Sequence, residues 1–159
     1  MNSTLRRTTL IGITALLVGL ATGGIAQANP SRAEFIRRGD ALCTQTKKAL
    51  APIRARAQAA KTLPTDAKWQ AAADIWADQI AIQRRFIAKF RAIGTPAGDQ
   101  SANSLVSSMS RGLVLAVNVQ RGFADRHSAR LPGALSSYVN FTLNLNRRVA
   151  AYGFRVCGR

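Results

Sequence analysis

The sequence Tyr152-Gly153-Phe154-Arg155-Val156-Cys157 lies near the end of the chain and predicts how the fold is closed. Tyr152 is the last residue of a helical pattern, and Gly153 is a typical residue for ending a helix. Cys157 is one of only two cysteines, and the other, Cys43, lies near the start of the folded part. A bond between the two would join both ends of the domain into one ring.

The first 28 residues have the three parts of a secretory signal peptide. Residues 1–7 are short and basic, residues 10–20 are apolar, and Ala26-Gln27-Ala28 has the small-residue pattern of a cleavage site. We therefore predict a signal peptide at residues 1–28 and a secreted domain at residues 29–159, with no membrane span left after cleavage. The alternative is an uncleaved anchor, because residues 10–28 are about long enough to cross a bilayer.

The two cysteines predict a disulfide. Secretion would place the chain in an oxidising compartment, where a pair of cysteines favours a bond. A bond between Cys43 and Cys157 closes a long loop and contributes roughly 4–5 kcal/mol in the loop-entropy account. The alternative is two free thiols.

Four stretches carry apolar residues at three- and four-residue intervals, which is typical of amphipathic helices. The first begins at the capping box Ser31-Arg32-Ala33-Glu34 and contains Pro52, which predicts a kink or break. The second follows the stop and cap at residues 63–66. The third starts at residues 94–96, with Thr95 as the N-cap and Pro96 in the first turn. The fourth begins near Ser128 and ends at Gly153.

Short connections between four helices predict the fold class. We found no stretch with the two-residue period of a β-strand and no internal repeat. The sequence therefore predicts an all-α, antiparallel up-down-up-down four-helix bundle. In that topology the end of the fourth helix lies beside the start of the first, where Cys157 must be to reach Cys43.

The two ends of the domain resemble a group of small secreted helical proteins of high-GC Gram-positive bacteria. The resemblance rests on residues 34–43, Glu-Phe-Ile-Arg-Arg-Gly-Asp-Ala-Leu-Cys, and on the terminal Tyr-Gly-x-x-x-Cys-Gly at residues 152–158. It implies a secreted α-helical domain of unknown function, and it carries no catalytic residue over to this chain.

The sequence contains no catalytic or cofactor-binding motif. The one histidine, His127, lies beside Asp125 and Ser128, but catalytic triads are defined by geometry and adjacent residues rarely converge. One histidine and two cysteines that we expect to be bonded cannot form a usual zinc site. We therefore predict no metal, no cofactor and no enzyme activity.

The charge is the strongest functional indication in the sequence. Lysine and arginine total 23 against 7 acidic residues, which gives a formal charge of +16. Acids early and bases late in each helix fit the helix dipole, which explains the order of the charges but not their number. Six basic residues late in the second and fourth helices are the candidate anion-binding residues: Arg84, Arg85, Lys89, Arg91, Arg147 and Arg148.

These features predict a non-catalytic binding or structural protein, secreted or at the cell envelope, with an anionic partner. The partner would be a cell-wall polymer, an anionic lipid surface or an acidic protein. Nucleic acid is not favoured, because the compartment argues against it and no recognition motif is present.

Two other functions stay open. The first is an enzyme or inhibitor module with an unrecognised groove, which a buried cluster of arginines with Tyr138 or Tyr152 would favour. The second is a small-ligand carrier with a cavity lined by Met109, Gly112 and Phe123.

Overall fold

Four helices account for most of the chain in a computed structural model, which describes residues 29–127 and 129–158. The helices are α1 (Arg32–Ala59), α2 (Thr65–Ala92), α3 (Gln100–Ala124) and α4 (Leu131–Tyr152), with a short 3-10 helix at Ala60–Thr62. The described ranges contain no β-strand, and the predicted all-α, up-down-up-down bundle is confirmed. The predicted signal peptide and the Ser128 cap lie outside these ranges.

Each helix packs on the next one in the chain. α2 contacts α1 and α3, and α3 contacts α4, whereas the described backbones of α1 and α4 do not come within contact distance of each other. The tail at residues 153–158 lies between them instead. Cys157 contacts α1, and a Cβ atom added to Gly158 would come within 2.7 Å of the Asn146 carbonyl oxygen on α4. The tail therefore lies between the two helices, whose side chains also meet where the Phe35 ring contacts the Tyr152 ring at a centroid distance of 5.9 Å.

The start of α1 is capped as the sequence predicts, but only by half of the capping box. The Ser31 hydroxyl accepts a hydrogen bond from the Glu34 N–H at 3.2 Å. Glu34 does not reach back, because its carboxylate binds Arg37 and Arg38. Pro52 does not break the helix, which runs on to Ala59, and the next residue, Ile53, is buried.

The predicted caps of the second and third helices are wrong. α2 starts at Thr65 without a side-chain cap. α3 starts at Gln100, and its cap is Asp99, whose carboxylate accepts from the Ala102 N–H at 2.9 Å. Gly98 has a φ of 72°, which lets the chain turn before the helix begins.

The end of α4 follows the sequence prediction. Gly153 has a φ of 118°, a conformation that glycine adopts without strain, and it turns the chain from the helix into the tail. Pro132 lies in the first turn, where its missing N–H costs little. No described helix combines the length and apolar character needed to cross a membrane.

An aromatic cluster fills one end of the bundle, which we call the tail end. The tail end comprises the start of α1, the end of α2, the start of α3, the end of α4 and the tail. Phe35, Phe90 and Phe154 are each at most 2% exposed. Phe35 meets the other two rings edge to face, with centroids 5.4 Å and 5.6 Å away. Edge-to-face pairs of this kind add to the free energy gained by burial.

Two further connections hold the tail on α1. Cys43 and Cys157 lie at disulfide distance, with Cα atoms 5.4 Å apart. The Asp40 carboxylate accepts hydrogen bonds from the N–H groups of Arg155, Val156 and Cys157 at 2.8–3.0 Å. Burial raises the pKa of Asp40, but these backbone donors together hold it below its usual value. We call this arrangement the Asp40 clamp.

Candidate anion-binding surfaces

The structure divides the six predicted basic residues between two faces of the bundle. Arg84, Arg85, Lys89 and Arg91 are exposed on α2, and Arg147 and Arg148 are exposed on α4. Within the described residues, none of the six forms an ion pair with an acidic side chain. The ion pairs seen there use four other basic residues: Arg37, Arg38, Arg56 and Arg126.

One face lies along α1 and α2. Arg85 and Lys89 border a shallow depression between these helices, and Lys89 borders a second one together with Arg37 and Arg38. Arg38 and Arg91 then line a third hollow beside residues 29 and 30. The structure thus brings three predicted residues together with two that were not predicted. We call this set the α1–α2 basic surface: Arg37, Arg38, Arg85, Lys89 and Arg91.

Glu34 is the acidic residue paired with this surface. Its carboxylate accepts from the Arg37 and Arg38 guanidinium groups at 2.6–2.8 Å, and these bonds lower its pKa to about 2. Glu34 therefore stays ionised at neutral pH and offsets one of the two charges. Arg91 donates to the Ser110 hydroxyl on α3. Because a hydroxyl is neutral, this hydrogen bond does not offset the positive charge of Arg91.

Arg84 and Arg147 do not join either group of lining residues. Both side chains are exposed, and neither makes a side-chain hydrogen bond within the described residues. The predicted set therefore contains two residues for which the structure shows no shared surface.

The second face is a hollow between the start of α3 and the end of α4, with a volume of about 430 Å³. Arg148 lines it and spans the interface, since its guanidinium donates to the Ser104 and Ser108 hydroxyls at 2.8 Å and 3.1 Å. Arg32, from the first turn of α1, lines the same hollow. We call this the α3–α4 hollow; its lining comprises Arg32, Gln100, Ser101, Ser104, Leu105, Arg148, Ala151 and Tyr152.

Tyr152 positions Arg32 in this hollow. The Arg32 guanidinium donates to the Tyr152 carbonyl oxygen at 2.8 Å and lies 4.4 Å from the centre of the Tyr152 ring. The Tyr152 hydroxyl donates to Asp99 at 2.6 Å. Burial and this bond raise the pKa of Tyr152 to about 12, and the same bond lowers the pKa of Asp99. Tyr152 therefore acts here as a neutral hydrogen-bond donor.

An apolar cavity between α2, α3 and α4 is the structure's counterpart of the predicted ligand cavity. Met109 and Gly112 line it, together with Tyr138 and Gln83. Phe123 does not, because it packs against Trp69 with ring centres 5.8 Å apart. At about 140 Å³, the cavity is smaller than the roughly 300–1,000 Å³ usual for small-molecule sites.

The described residues contain no group of three histidine, cysteine, aspartate or glutamate side chains placed to hold a metal ion. His127 is exposed in the turn after α3. What the structure does offer are guanidinium and hydroxyl donors, and this chemistry suits the binding of oxyanions.

Arg32, Ser101 and Ser104 line the α3–α4 hollow but were not predicted from the sequence. Arg32 could have been found from the predicted disulfide, because pairing Cys43 with Cys157 brings the first turn of α1 to the end of α4. The two serines carry no comparable signal in the sequence.

No protein-family model matches the chain, and neither a curated protein nor a solved structure matches it.

Proposed function

We propose that this protein is a secreted or envelope-associated, non-catalytic module that binds an anionic cell-wall polymer. The observation that carries the proposal is the α1–α2 basic surface. Its five charged side chains run along two packed helices, and within residues 29–127 and 129–158 only Glu34 forms an ion pair with any of them. A row of this kind complements a linear polyanion, which can contact several of the charges at once.

The distribution of exposed apolar side chains favours a polymer over a lipid surface. Proteins that bind a bilayer interface usually insert large apolar side chains beside the basic ones. Among the residues that the structure describes, the exposed large hydrophobic ones are Leu63, Val114, Val139 and Leu143, and none of these four borders the α1–α2 basic surface. Trp69 and Trp76 are half-buried and pack against Phe123 and Tyr138.

The extracellular setting is supported by the order of residues 1–28 and by the cysteine pair. A disulfide between Cys43 and Cys157 would be maintained outside the cell and reduced in a cytosol. The same setting supplies the anionic polymers that the basic surface suits.

The test is binding of the purified protein to isolated anionic wall polymer across a salt series. We expect binding that weakens steeply as salt rises, because the contacts are exposed charges. The double variant Arg85→Gln with Lys89→Gln should bind about tenfold more weakly or worse, and its salt dependence should be shallower.

A matched control removes the same charge elsewhere. Lys68→Gln with Arg121→Gln also loses one lysine and one arginine, both exposed and both outside the α1–α2 basic surface. It should bind within about twofold of the wild type, since distant charges are screened. Equal losses in the two double variants would overturn the proposed surface. Absence of binding at low salt, or tighter binding to anionic liposomes than to polymer, would overturn the proposed partner.

A further inference from the structure

The α3–α4 hollow is lined by residues other than those of the α1–α2 basic surface. It combines Arg32 and Arg148 with hydroxyl and amide side chains, and its volume of about 430 Å³ falls within the usual range for small-molecule sites. A binding role for it does not depend on the polymer binding proposed above.

Arg148 is held in one orientation at the edge of the hollow. Both terminal nitrogens of its guanidinium donate to serine hydroxyls on α3, at 2.8 Å and 3.1 Å. A guanidinium has five N–H donors, so bonds to two serines leave others for a ligand. Because the side chain is already ordered, a ligand would meet it at a reduced entropic cost.

Arg32 is held in the same way from the other side. It donates to the carbonyl oxygen of Tyr152 and lies over the ring of that residue. Stacking on an aromatic ring leaves the edge of the guanidinium open to a planar or tetrahedral oxyanion. The two arginines come from α1 and α4, and only the folded tail end brings them to one hollow.

Asp99 is an acidic group close to this arrangement, and both of its carboxylate oxygens accept hydrogen bonds from other groups. One oxygen accepts from the Ala102 N–H at 2.9 Å and the other from the Tyr152 hydroxyl at 2.6 Å. Asp99 does not line the hollow, whereas both arginines do. The charge facing a ligand is therefore positive.

The remaining lining suits a hydroxylated carbon skeleton. Ser101, Ser104 and Gln100 supply hydroxyl and amide groups, and Leu105 and Ala151 supply a small apolar surface. We infer that the α3–α4 hollow binds a small hydroxylated oxyanion, meaning a phosphate ester of a polyol or a sugar acid. Arg32 and Arg148 bind the anionic group, and the serine and glutamine side chains bind the hydroxyls.

The test is an NMR titration of the purified, isotope-labelled protein with glycerol 3-phosphate and, separately, with glucuronate. We expect saturable shifts at residues 100–105 and 148–152 with at least one ligand. Arg148→Gln should weaken binding about tenfold or more, since it removes a charged hydrogen-bond donor. Arg148→Lys keeps the positive charge but loses the paired N–H donors of the guanidinium group. Its affinity should therefore fall between those of the wild type and Arg148→Gln.

Arg147→Gln is the matched control. It removes the same charge from the neighbouring residue of α4, which is exposed and does not line the hollow. It should bind within about twofold of the wild type, because an exposed charge outside the contact is screened. Arg32→Gln gives a second probe, and its unfolding is measured in parallel because Arg32 also contacts Tyr152.

Binding of only one ligand identifies the anionic group that the hollow takes. Shifts with neither ligand would overturn the inference, as would equal losses in Arg148→Gln and Arg147→Gln. The result is separable from the proposed function, since Arg85→Gln with Lys89→Gln should leave these shifts unchanged.

Discussion

The tail end and the opposite end of the bundle are built from the same four helices but held by different interactions. At the tail end, three fully buried aromatic rings, a cysteine pair and the Asp40 clamp connect segments that are far apart in the sequence. At the opposite end, Trp69 packs on Phe123 and Leu63 is 37% exposed. An ion pair there, Arg126 with Asp66, has both side chains more than half exposed.

The comparison indicates where the fold resists opening. Buried apolar contacts and part-buried hydrogen bonds to a charged carboxylate contribute more than exposed ion pairs. We therefore expect the opposite end to open locally before the tail end. The tail end is also where Arg32 lines the α3–α4 hollow. A rigid tail end keeps the two arginines of that hollow in place.

The largest effect should come from removing the cysteine pair. The double variant Cys43→Ala with Cys157→Ala removes the covalent connection between the tail and α1, and the loop-entropy account, in which the bond restricts the unfolded chain, gives a loss of about 4–5 kcal/mol in the free energy of unfolding. Urea unfolding measures the loss, and amide hydrogen exchange should show faster exchange at residues 154–158.

Reduction of the wild type supplies the control for that experiment. The wild type in reductant should lose about as much stability as the double variant, because both remove the same constraint. A loss below about 1 kcal/mol in both would mean that the aromatic cluster and the Asp40 clamp, and not the cysteine pair, hold the tail.

The next largest effect should come from Gly39, which lies in α1 beneath the aromatic cluster. A Cβ atom there would overlap the Phe154 ring and come within 2.9 Å of the Phe90 ring. Both rings are buried and have little room to move, so Gly39→Ala should cost about 3 kcal/mol, against the usual gain from alanine in a helix. Thermal or urea unfolding checks this value.

Gly133→Ala is the matched change at the other end. Gly133 lies in the first turn of α4, and an added Cβ would meet nothing within 4 Å. This variant should be neutral or more stable by up to about 1 kcal/mol. Opposite signs for the two variants would sharpen the contrast between the ends, whereas equal signs would contradict it.

The sequence predicted what depends on local patterns. Apolar periodicity predicts the number of helices and the exposed arginines of α2. The backbone preferences of glycine predict that α4 ends at Gly153. The start of α3 was missed because Thr95-Pro96 and Asp99 both resemble helix starts. A turn with a positive φ at Gly98 decides between them, and the sequence does not reveal which one it favours.

What the sequence could not predict depends on the path of the tail. Asp40 looked like an ordinary acidic residue early in a helix, and its role appears only when residues 155–157 present their N–H groups to it. The division of the basic residues between two faces likewise depends on how α4 is rotated against α3. Such contacts follow from tertiary packing, which local residue patterns do not encode.

A smaller loss than that of Gly39→Ala should come from the Asp40 clamp, and it has a pH signature. Asp40→Asn keeps the shape but loses the charge that three backbone N–H groups bind, and we expect a loss of about 2 kcal/mol at neutral pH. Because the folded state lowers the pKa of Asp40, its contribution is complete above the unfolded pKa of about 3.9 and is lost as pH falls through the lower, folded value.

The measurement is urea unfolding of both proteins from neutral pH to acid. Glu34 and Asp99 also have lowered pKa values, so the wild type loses stability in acid for several reasons. The difference between wild type and Asp40→Asn isolates the clamp. It should be constant above about pH 5 and shrink below about pH 4.

Asp78→Asn, which removes an exposed ion pair with Arg56, should cost less than about 0.5 kcal/mol. If Asp40→Asn were as mild as Asp78→Asn, the tail would be held by its cysteine and its aromatic ring alone.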